Sequence, residues 1–385
     1  MIRLFFAVLL FMFSLLAVLP IPAKQLWYCA IAVSEFPWIW VTMTLALLVW
    51  IFSNHRYRTP SAIVAIITLM IFASPIVRAY EIASGLDQRL KTSFNISTAD
   101  LGTPHRVHPF SMLQMVSGIG ASKVPFKTFE YTVHSGVHLT LNFYPSQITG
   151  VRPCLLVIHG GSWKSGDNSE LPDVDSYFAK DGYQVATINY RLAPQFKSPA
   201  PQEDVHAAIT WLKSNAGMLN IDSNNFVLMG RSAGGQIALE TAYGLEEPGV
   251  KGVVSFYGPA DMIFGYNEPH NQLVMKHHEV LESYLGGTPA QVRQQYIDAS
   301  PIEHVKRGSV PALLVHGVID QHVHFTESQR MAQRLDENGV PNLLLALPWA
   351  THGCEYTLNG PSGQLAMYAA ERFMYAITQK DTSPK

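Results

Sequence analysis

Residues 226–244 read FVLMGRSAGGQIALETAYG. Four apolar residues lead into Gly230-Arg231-Ser232-Ala233-Gly234, and a helical pattern follows. This is the order strand, tight turn, helix, with G-x-S-x-G at the turn. The glycines flank the serine because a turn this tight leaves no room for side chains. It lifts the Ser232 hydroxyl off the sheet and points a helix N-terminus at whatever the hydroxyl meets. The simpler reading of the same letters is a glycine-rich turn whose serine only caps the helix.

Outward from this turn, strand and helix signals alternate. Residues 128–133 and 137–144 read as a hairpin around His134-Ser135-Gly136. The run CLLVIH at 154–159 is continuously apolar, as in a strand buried on both faces. Helix at 171–180, strand at 184–189, a Pro-started helix at 201–215, and strand at 252–256 follow. After an irregular insert at 260–305 come strand 312–316, helix 326–338, strand 343–347 and helix 362–377. The alternation predicts an α/β fold: a mostly parallel sheet with helices on both faces.

The chemistry gathers where strands end. His159-Gly160-Gly161-Ser162-Trp163 follows the CLLVIH strand. Acyl-transfer reactions pass through a tetrahedral anion that needs preset N–H donors. Gly160, Gly161 and Ala233, the residue after the serine, are the candidate oxyanion donors. A serine hydroxyl also needs a base, and the base an orienting acid. In a parallel sheet with this serine turn the order is Ser, acid, His. Asp320 in HGVIDQHV and His352 in PWATHGC fill it, each just after a strand. Asp298 and Glu303 are rival acids, but they precede the strand.

No cofactor or metal is expected. Cys29, Cys154 and Cys354 fit no zinc spacing, and His322-x-His324 and His277-His278 lack a third ligand placed by spacing.

Several motifs in order make a family resemblance: HGGSW at 159–163, YRLAP at 190–194, PAPQEDVHAAITWL, GRSAGG at 230–235, ASPIEHV at 299–305, HGVID at 316–320 and THG at 351–353. The last 260 or so residues resemble the α/β-hydrolase superfamily. The likeness is to serine esterases of the hormone-sensitive-lipase and feruloyl/acetyl-xylan-esterase-like group. The resemblance implies a catalytic triad of Ser232, Asp320 and His352, with Tyr190–Pro194 and Asp204 as scaffold beside the site. This chain departs at Ser162, where the motif often has a third Gly, and at Val318, where it often has Asp. Ser162 and Trp163 are expected to narrow the pocket entrance.

The first fifth of the chain is written for a different solvent. Residues 1–77 hold only five charged side chains (Arg3, Lys24, Glu35, Arg56 and Arg58) out of 27 Lys+Arg and 29 Asp+Glu. Stretches 4–23, 36–52 and 61–77 are each long enough to be read as membrane-spanning helices. Trp38, Trp40 and Trp50 sit where an aromatic belt would place them. The first stretch is read as an uncleaved helix rather than a signal peptide, since PIPAKQ makes a poor cleavage site. Arg3 and His55-Arg56-Tyr57-Arg58 would face the cytoplasm. Three crossings then place everything after residue 77 on the non-cytoplasmic side.

The expected organisation is a membrane region 1–77, a linker 78–125 and an α/β-hydrolase domain 126–380 with a cap at about 260–305. Asn95-Ile96-Ser97 fits a glycosylation acceptor, and 110–119 reads as a short helix or a packed linker. Met262, Ile263, Phe264 and Tyr266 are read equally as an acyl site or as packing. A net charge of −2 without basic blocks argues against nucleic-acid binding.

The expected function is a multi-pass, membrane-anchored serine hydrolase. Its substrates would be carboxylic esters, small or part of a lipid or polymer. Two alternatives stand beside it. One is hydrolysis of another acyl bond, as in formamidase-like or prenylcysteine-methylesterase-like enzymes. The other is a catalytically silent hydrolase fold used for binding or sensing.

Overall fold

Short apolar runs become eight strands: β1 Lys127–His134, β2 Val137–Tyr144, β3 Arg152–Ile158, β4 Gln184–Ile188, β5 Ile221–Arg231, β6 Val250–Phe256, β7 Ala312–Gly317 and β8 Asn342–Leu347. They form one sheet in the order β1-β2-β4-β3-β5-β6-β7-β8. The hairpin β1–β2 and the β2–β4 pair are antiparallel, and every pair from β4 to β8 is parallel. Ser135 and Gly136 turn the hairpin with φ of 52° and 77°, the left-handed pair that matches strand twist. β3 is buried from Pro153 onward and β4 throughout, because helices cover both faces. This is the α/β-hydrolase fold, seen in a computed structural model that describes residues 2–53, 58–96, 106–118 and 122–379.

Helices follow the strands as the sequence pattern implies, including Pro172–Lys180, Ala200–Ser214, Ala233–Glu240, Phe325–Glu337 and Pro361–Gln379. The insert forms four short helices: Met262–Asn267, His277–Leu285, Arg293–Asp298 and Pro301–His304.

The N-terminal region departs most from expectation. It contains α1 Ile2–Ser14, α2 Trp27–Glu35, α3 Pro37–Phe52 and α4 Arg58–Phe94. Among the described residues, one helix, Thr59–Phe94, is long and apolar enough to cross a membrane. Lys24–Glu35 and Pro37–Phe52 pass that test only as a pair bent by 81°, and Ile2–Ala17 is shorter. Three expected spans therefore become one or two helices of spanning length. Pro37 explains the bend: it has no N–H and bars helical backbone at Phe36, which sits at φ −120°, ψ 45°.

α4 has 37 residues, about 55 Å at 1.5 Å per residue, against a bilayer core of about 30 Å. Its C-terminal half occupies what reads as the start of a linker and packs on the catalytic domain. Ala79, Leu86, Leu90 and Phe94 join the core that covers one face of the sheet. Arg89 donates to Leu344 O at 2.7 Å, and Tyr368 donates to Asp87.

Beyond it, Met112–Ser117 is a short helix pinned to the domain by reciprocal bonds between Ser111 and Gln364. Two of the three tryptophans also differ from a belt, while Trp50 is exposed in the last turn of α3. Trp40 stacks between Phe13 and Phe72, at 5.9 and 5.5 Å, inside the bundle. Trp38 packs against the catalytic core. Residues 54–57 of the basic loop, and Ser97 of the glycosylation triplet, lie outside the described residues.

Candidate active site

The serine turn is dictated by its backbone. Ser232 sits at φ 52°, ψ −120°, a region non-glycine residues seldom occupy. Its N–H donates to Phe256 O at 2.9 Å, which holds the turn against the end of β6. A Cβ on Gly230 would lie 2.0 Å from Gly234 O, and one on Gly234 2.2 Å from Ile158 O. No side chain fits at either position, so the spacing of the glycines is a steric requirement.

Asp320 and His352 come from the loops after β7 and β8. His352 Nδ1 lies 2.6 Å from Asp320 Oδ2. The other carboxylate oxygen accepts His322 N at 2.7 Å and Val323 N at 3.2 Å. The buried His316 ring lies 3.4 Å from Oδ2 and is itself held by Ser328 Oγ at 2.7 Å. Burial alone would push the Asp320 carboxyl up; the His352 and His316 imidazoles overcome it and hold the group well below the usual range. The arrangement fixes the imidazole with Nδ1 toward the acid and leaves Nε2 for chemistry.

Ser232 and His352 line one cavity of about 630 Å³, with Gly160, Gly161, Ser162 and Tyr257. Among the described residues no hydrogen bond joins Ser232 Oγ to the imidazole in this conformation. Such bonds commonly tighten only with substrate bound. The rival acids are remote from this geometry: Asp298 is exposed and accepts from Gln294, and Glu303 is exposed.

The glycine loop corrects two expectations. Gly160 N–H donates to Glu170 Oε2 at 2.9 Å, so this expected oxyanion donor is already committed to a carboxylate. Gly161, at φ 111°, could not carry a side chain, since a Cβ would lie 2.0 Å from Ser165 O. Its N–H and that of Ala233 have no partner among the described residues. Trp163 does not narrow the entrance: it is buried, donates to Gln236 Oε1 at 2.9 Å and stacks on Tyr284 at 4.3 Å. Only Ser162 of that pair lines the cavity.

In the cap the structure favours packing over an acyl site, the two readings the sequence leaves open. Met262 is buried in the main core, Phe264 lies under the Arg330 guanidinium at 4.2 Å, and Tyr266 stacks on His278. None lines the cavity; residues 272–276, with Glu279 and Val280, do. The scaffold pair is present as the resemblance implied. Arg191 Nε donates to Asp204 Oδ1 at 2.8 Å, and Tyr190 OH to His159 O at 3.1 Å.

Other neighbours have no clear sequence signal. Arg231 pairs with buried Glu355 at 3.2 Å beneath the serine turn, and Tyr257 OH donates to the same carboxylate. Burial pushes the Glu355 carboxyl up, against the pull of Arg231. Tyr257 also packs its ring 4.2 Å from His352. His322 stacks on His352 at 4.9 Å, and burial lowers its imidazole to about 4. One atom each from Asp320, His322 and His352 lies within 4.8 Å of the others, a set that could hold a metal ion. The Asp320 oxygens are, however, already engaged by His352 and two backbone N–H groups.

Comparison with known proteins agrees with the fold. The family model described as BD-FAE matches residues 141–335, about half of the chain. The chain is 24% identical over 391 residues to the probable carboxylic ester hydrolase LipM of Mycobacterium tuberculosis, covering 93% of this chain and 88% of that protein. It is 28% identical over 229 residues to esterase LipC of the same organism, covering 56% of each. Among solved structures, Thermogutta terrifontis esterase 2 phosphonylated by sarin overlays with a TM-score of 0.57 at 21% identity, covering 69% of this chain and 98% of that one. The chain therefore belongs to the BD-FAE family and is a carboxylic ester hydrolase of the α/β-hydrolase fold.

Proposed function

We propose that the chain hydrolyses carboxylic esters through an acyl-enzyme on Ser232. His352 Nε2 takes the hydroxyl proton as Oγ attacks the ester carbonyl. The C=O electron pair moves onto oxygen, which Gly161 N–H and Ala233 N–H receive. The ester C–O bond then breaks and the imidazolium returns its proton to the departing alcohol. Water enters, gives a proton to His352 and attacks the acyl carbon. Collapse releases the acid and restores Ser232. Asp320 keeps the imidazole oriented and offsets its charge while it holds the proton. Gly160 acts by holding the loop through Glu170 rather than as a donor.

The observation that carries this reading is the Asp320–His352 pair at 2.6 Å, with His352 on the wall of the cavity that Ser232 also lines. Ser232→Ala tests it. We expect turnover of a short-chain aryl ester to fall by about 10³-fold or more, with the fold intact. A serine-directed phosphonate should label the wild type at Ser232 and not the variant. Full activity in a folded Ser232→Ala protein would remove the assignment, and an unlabelled, inactive wild type would favour a silent binding domain.

We further propose that the apolar helices attach the enzyme to a bilayer with the catalytic domain on the non-cytoplasmic side. Arg3 donates to Ser53 Oγ at 3.4 Å, so the start of α1 and the end of α3 share one end of the bundle. Lys24, between α1 and α2, meets the catalytic domain at the other end through its N–H to Leu273 O at 3.0 Å. The basic end and the catalytic end are thus opposite, as Lys/Arg retention in the cytoplasm requires. A reporter fused to the C-terminus should be active only outside the cytoplasm; a cytoplasmic signal reverses the topology.

A further inference from the structure

The catalytic domain does not close its own cavity. Lys24, Gln25 and Trp27, at the junction of α1 and α2, form one wall. Trp27 Nε1 donates to the backbone oxygen of His352 at 2.7 Å. Its ring lies 4.9 Å from His322 and 5.9 Å from Tyr356. Two more bonds tie the junction to the cap: Lys24 N–H to Leu273 O at 3.0 Å, and Asn271 Nδ2 to Pro22 O at 3.0 Å. Met275, in turn, is 3.9 Å from Ser162 Oγ in the glycine loop.

Two physical consequences follow. His352 sits in an irregular loop, so its ring is only as well placed as its backbone. An indole N–H can only donate, and here its acceptor is the carbonyl of the base itself. Removing the donor frees that carbonyl and loosens the loop. The second consequence concerns the wall. Val274 and Met275 line the cavity and also pack with Leu16, Ala17, Ile21 and Phe72, in the core of the apolar bundle. One wall of the cavity is therefore backed by the interior of the apolar bundle, and Leu273, which lines the same cavity, carries that apolar wall out to the exposed surface. The cavity's volume suits a ligand much larger than an acetyl ester.

We propose that Trp27 is a positioning residue for His352. With Val274 and Met275 it forms the mouth through which carboxylic esters bearing an extended aliphatic chain enter from the bilayer side. This rests on the acyl-enzyme reading above. The N-terminal region is then part of the active site as well as its attachment.

The test uses the full chain in detergent micelles, with p-nitrophenyl acetate and p-nitrophenyl decanoate as probes. Trp27→Phe keeps a ring and removes the donor. It should lower kcat about fivefold on both esters with KM unchanged. Trp27→Ala removes the ring too. It should also raise KM for the decanoate about tenfold while KM for the acetate changes less than twofold. If Trp27→Ala does not fold, Met275→Ala should reproduce the chain-length split. Wild-type kcat in Trp27→Phe, or equal KM changes for the two esters in the second variant, overturns the proposal. Phosphonate labelling separates the failures: a labelled wild type with indifferent Trp27 variants sinks this inference alone, whereas an unlabelled wild type sinks the acyl-enzyme reading.

Discussion

Two rims meet at the Ser232 cavity, and different physics builds each. The catalytic rim is fixed by backbone. Ser232 is held at a left-handed φ, and Gly230, Gly234 and Gly161 are positions where a Cβ would strike main-chain atoms at 2.0–2.2 Å. The opposite rim is fixed by two side chains reaching across to backbone, Trp27 to His352 O and Asn271 to Pro22 O, beside one main-chain bond from Lys24 to Leu273. Main-chain constraints admit few residue types, so they leave a pattern in the letters. A tryptophan between two apolar stretches leaves none, because many residues would serve such a connection equally well.

The difference is open to attack first at the catalytic rim. Asp320→Asn keeps the shape and removes the charge that opposes the His352 imidazolium. It should lower kcat on an aryl butyrate by about 10³-fold, far more than either Trp27 variant. A loss no greater than that of Trp27→Phe would mean that the two rims contribute alike. Thermal melts would show that the protein remains folded.

Gly234→Ala sharpens the contrast in stability. Its Cβ would sit 2.2 Å from Ile158 O and 2.4 Å from His159 O, both main-chain atoms that cannot rotate away. A cost of about 3 kcal/mol or more is expected, enough to deplete folded protein. The same substitution at Gly85, inside α4, meets nothing within 4 Å. There alanine should stabilise by up to about 1 kcal/mol, through helix propensity alone. A Gly234→Ala protein melting with the wild type would show that the turn can relax.

The same contrast explains what the sequence made legible. The alternating strands and helices from 127 onward follow from apolar periodicity, and their bounds in the structure differ by a few residues. The α/β-hydrolase fold was readable because β3 to β8 are short apolar runs that only a covered parallel sheet can bury. The places of Asp320 and His352 after strands are legible in the letters, and the structure brings these two side chains within 2.6 Å of each other. The acceptor of Gly160 N–H is not legible, because glycine signals where backbone must bend but not which acceptor an N–H meets, and Glu170 has no motif of its own. α4 runs well past the apolar stretch 61–77. Hydropathy falls after Val77, while the helix continues because Leu86, Leu90 and Phe94 recur at helical spacing against the domain core. Composition records the solvent of a segment, and here the solvent changes partway along one helix.

The cap, between the two rims, offers the smallest effect and a test of sign. His277 is buried, its ring nitrogens have no partners among the described residues, and burial lowers its imidazole to about 3. His270 stacks on it at 3.7 Å and His324 on His270 at 4.3 Å; His324 also pairs with Glu268 at 2.9 Å, and His278 adjoins. Glu327, raised to about 8 by burial, faces the same side near Gly265. The unfolded imidazole titrates near the ordinary value of about 6.5. Between that pH and the folded value the unfolded chain binds the extra proton, so the His277 contribution is complete above about 6.5 and is lost as pH falls. Glu327 has the opposite sign: it is protonated in the folded state over the range where the unfolded carboxyl is not, so its contribution fades as pH rises. The two offset each other in the wild type, and a single pH profile would hide both. The difference between wild type and His277→Gln isolates the histidine. That difference should grow in favour of wild type from pH 5 to 6.5, by at most about 1.4 kcal/mol per pH unit, and be flat above pH 7. Paired thermal melts of the full chain in detergent at pH 5, 6 and 7.5 measure it. A pH-independent difference would mean that the imidazole binds its proton equally in the folded and the unfolded chain, so that burial in the cap does not disfavour its charged form.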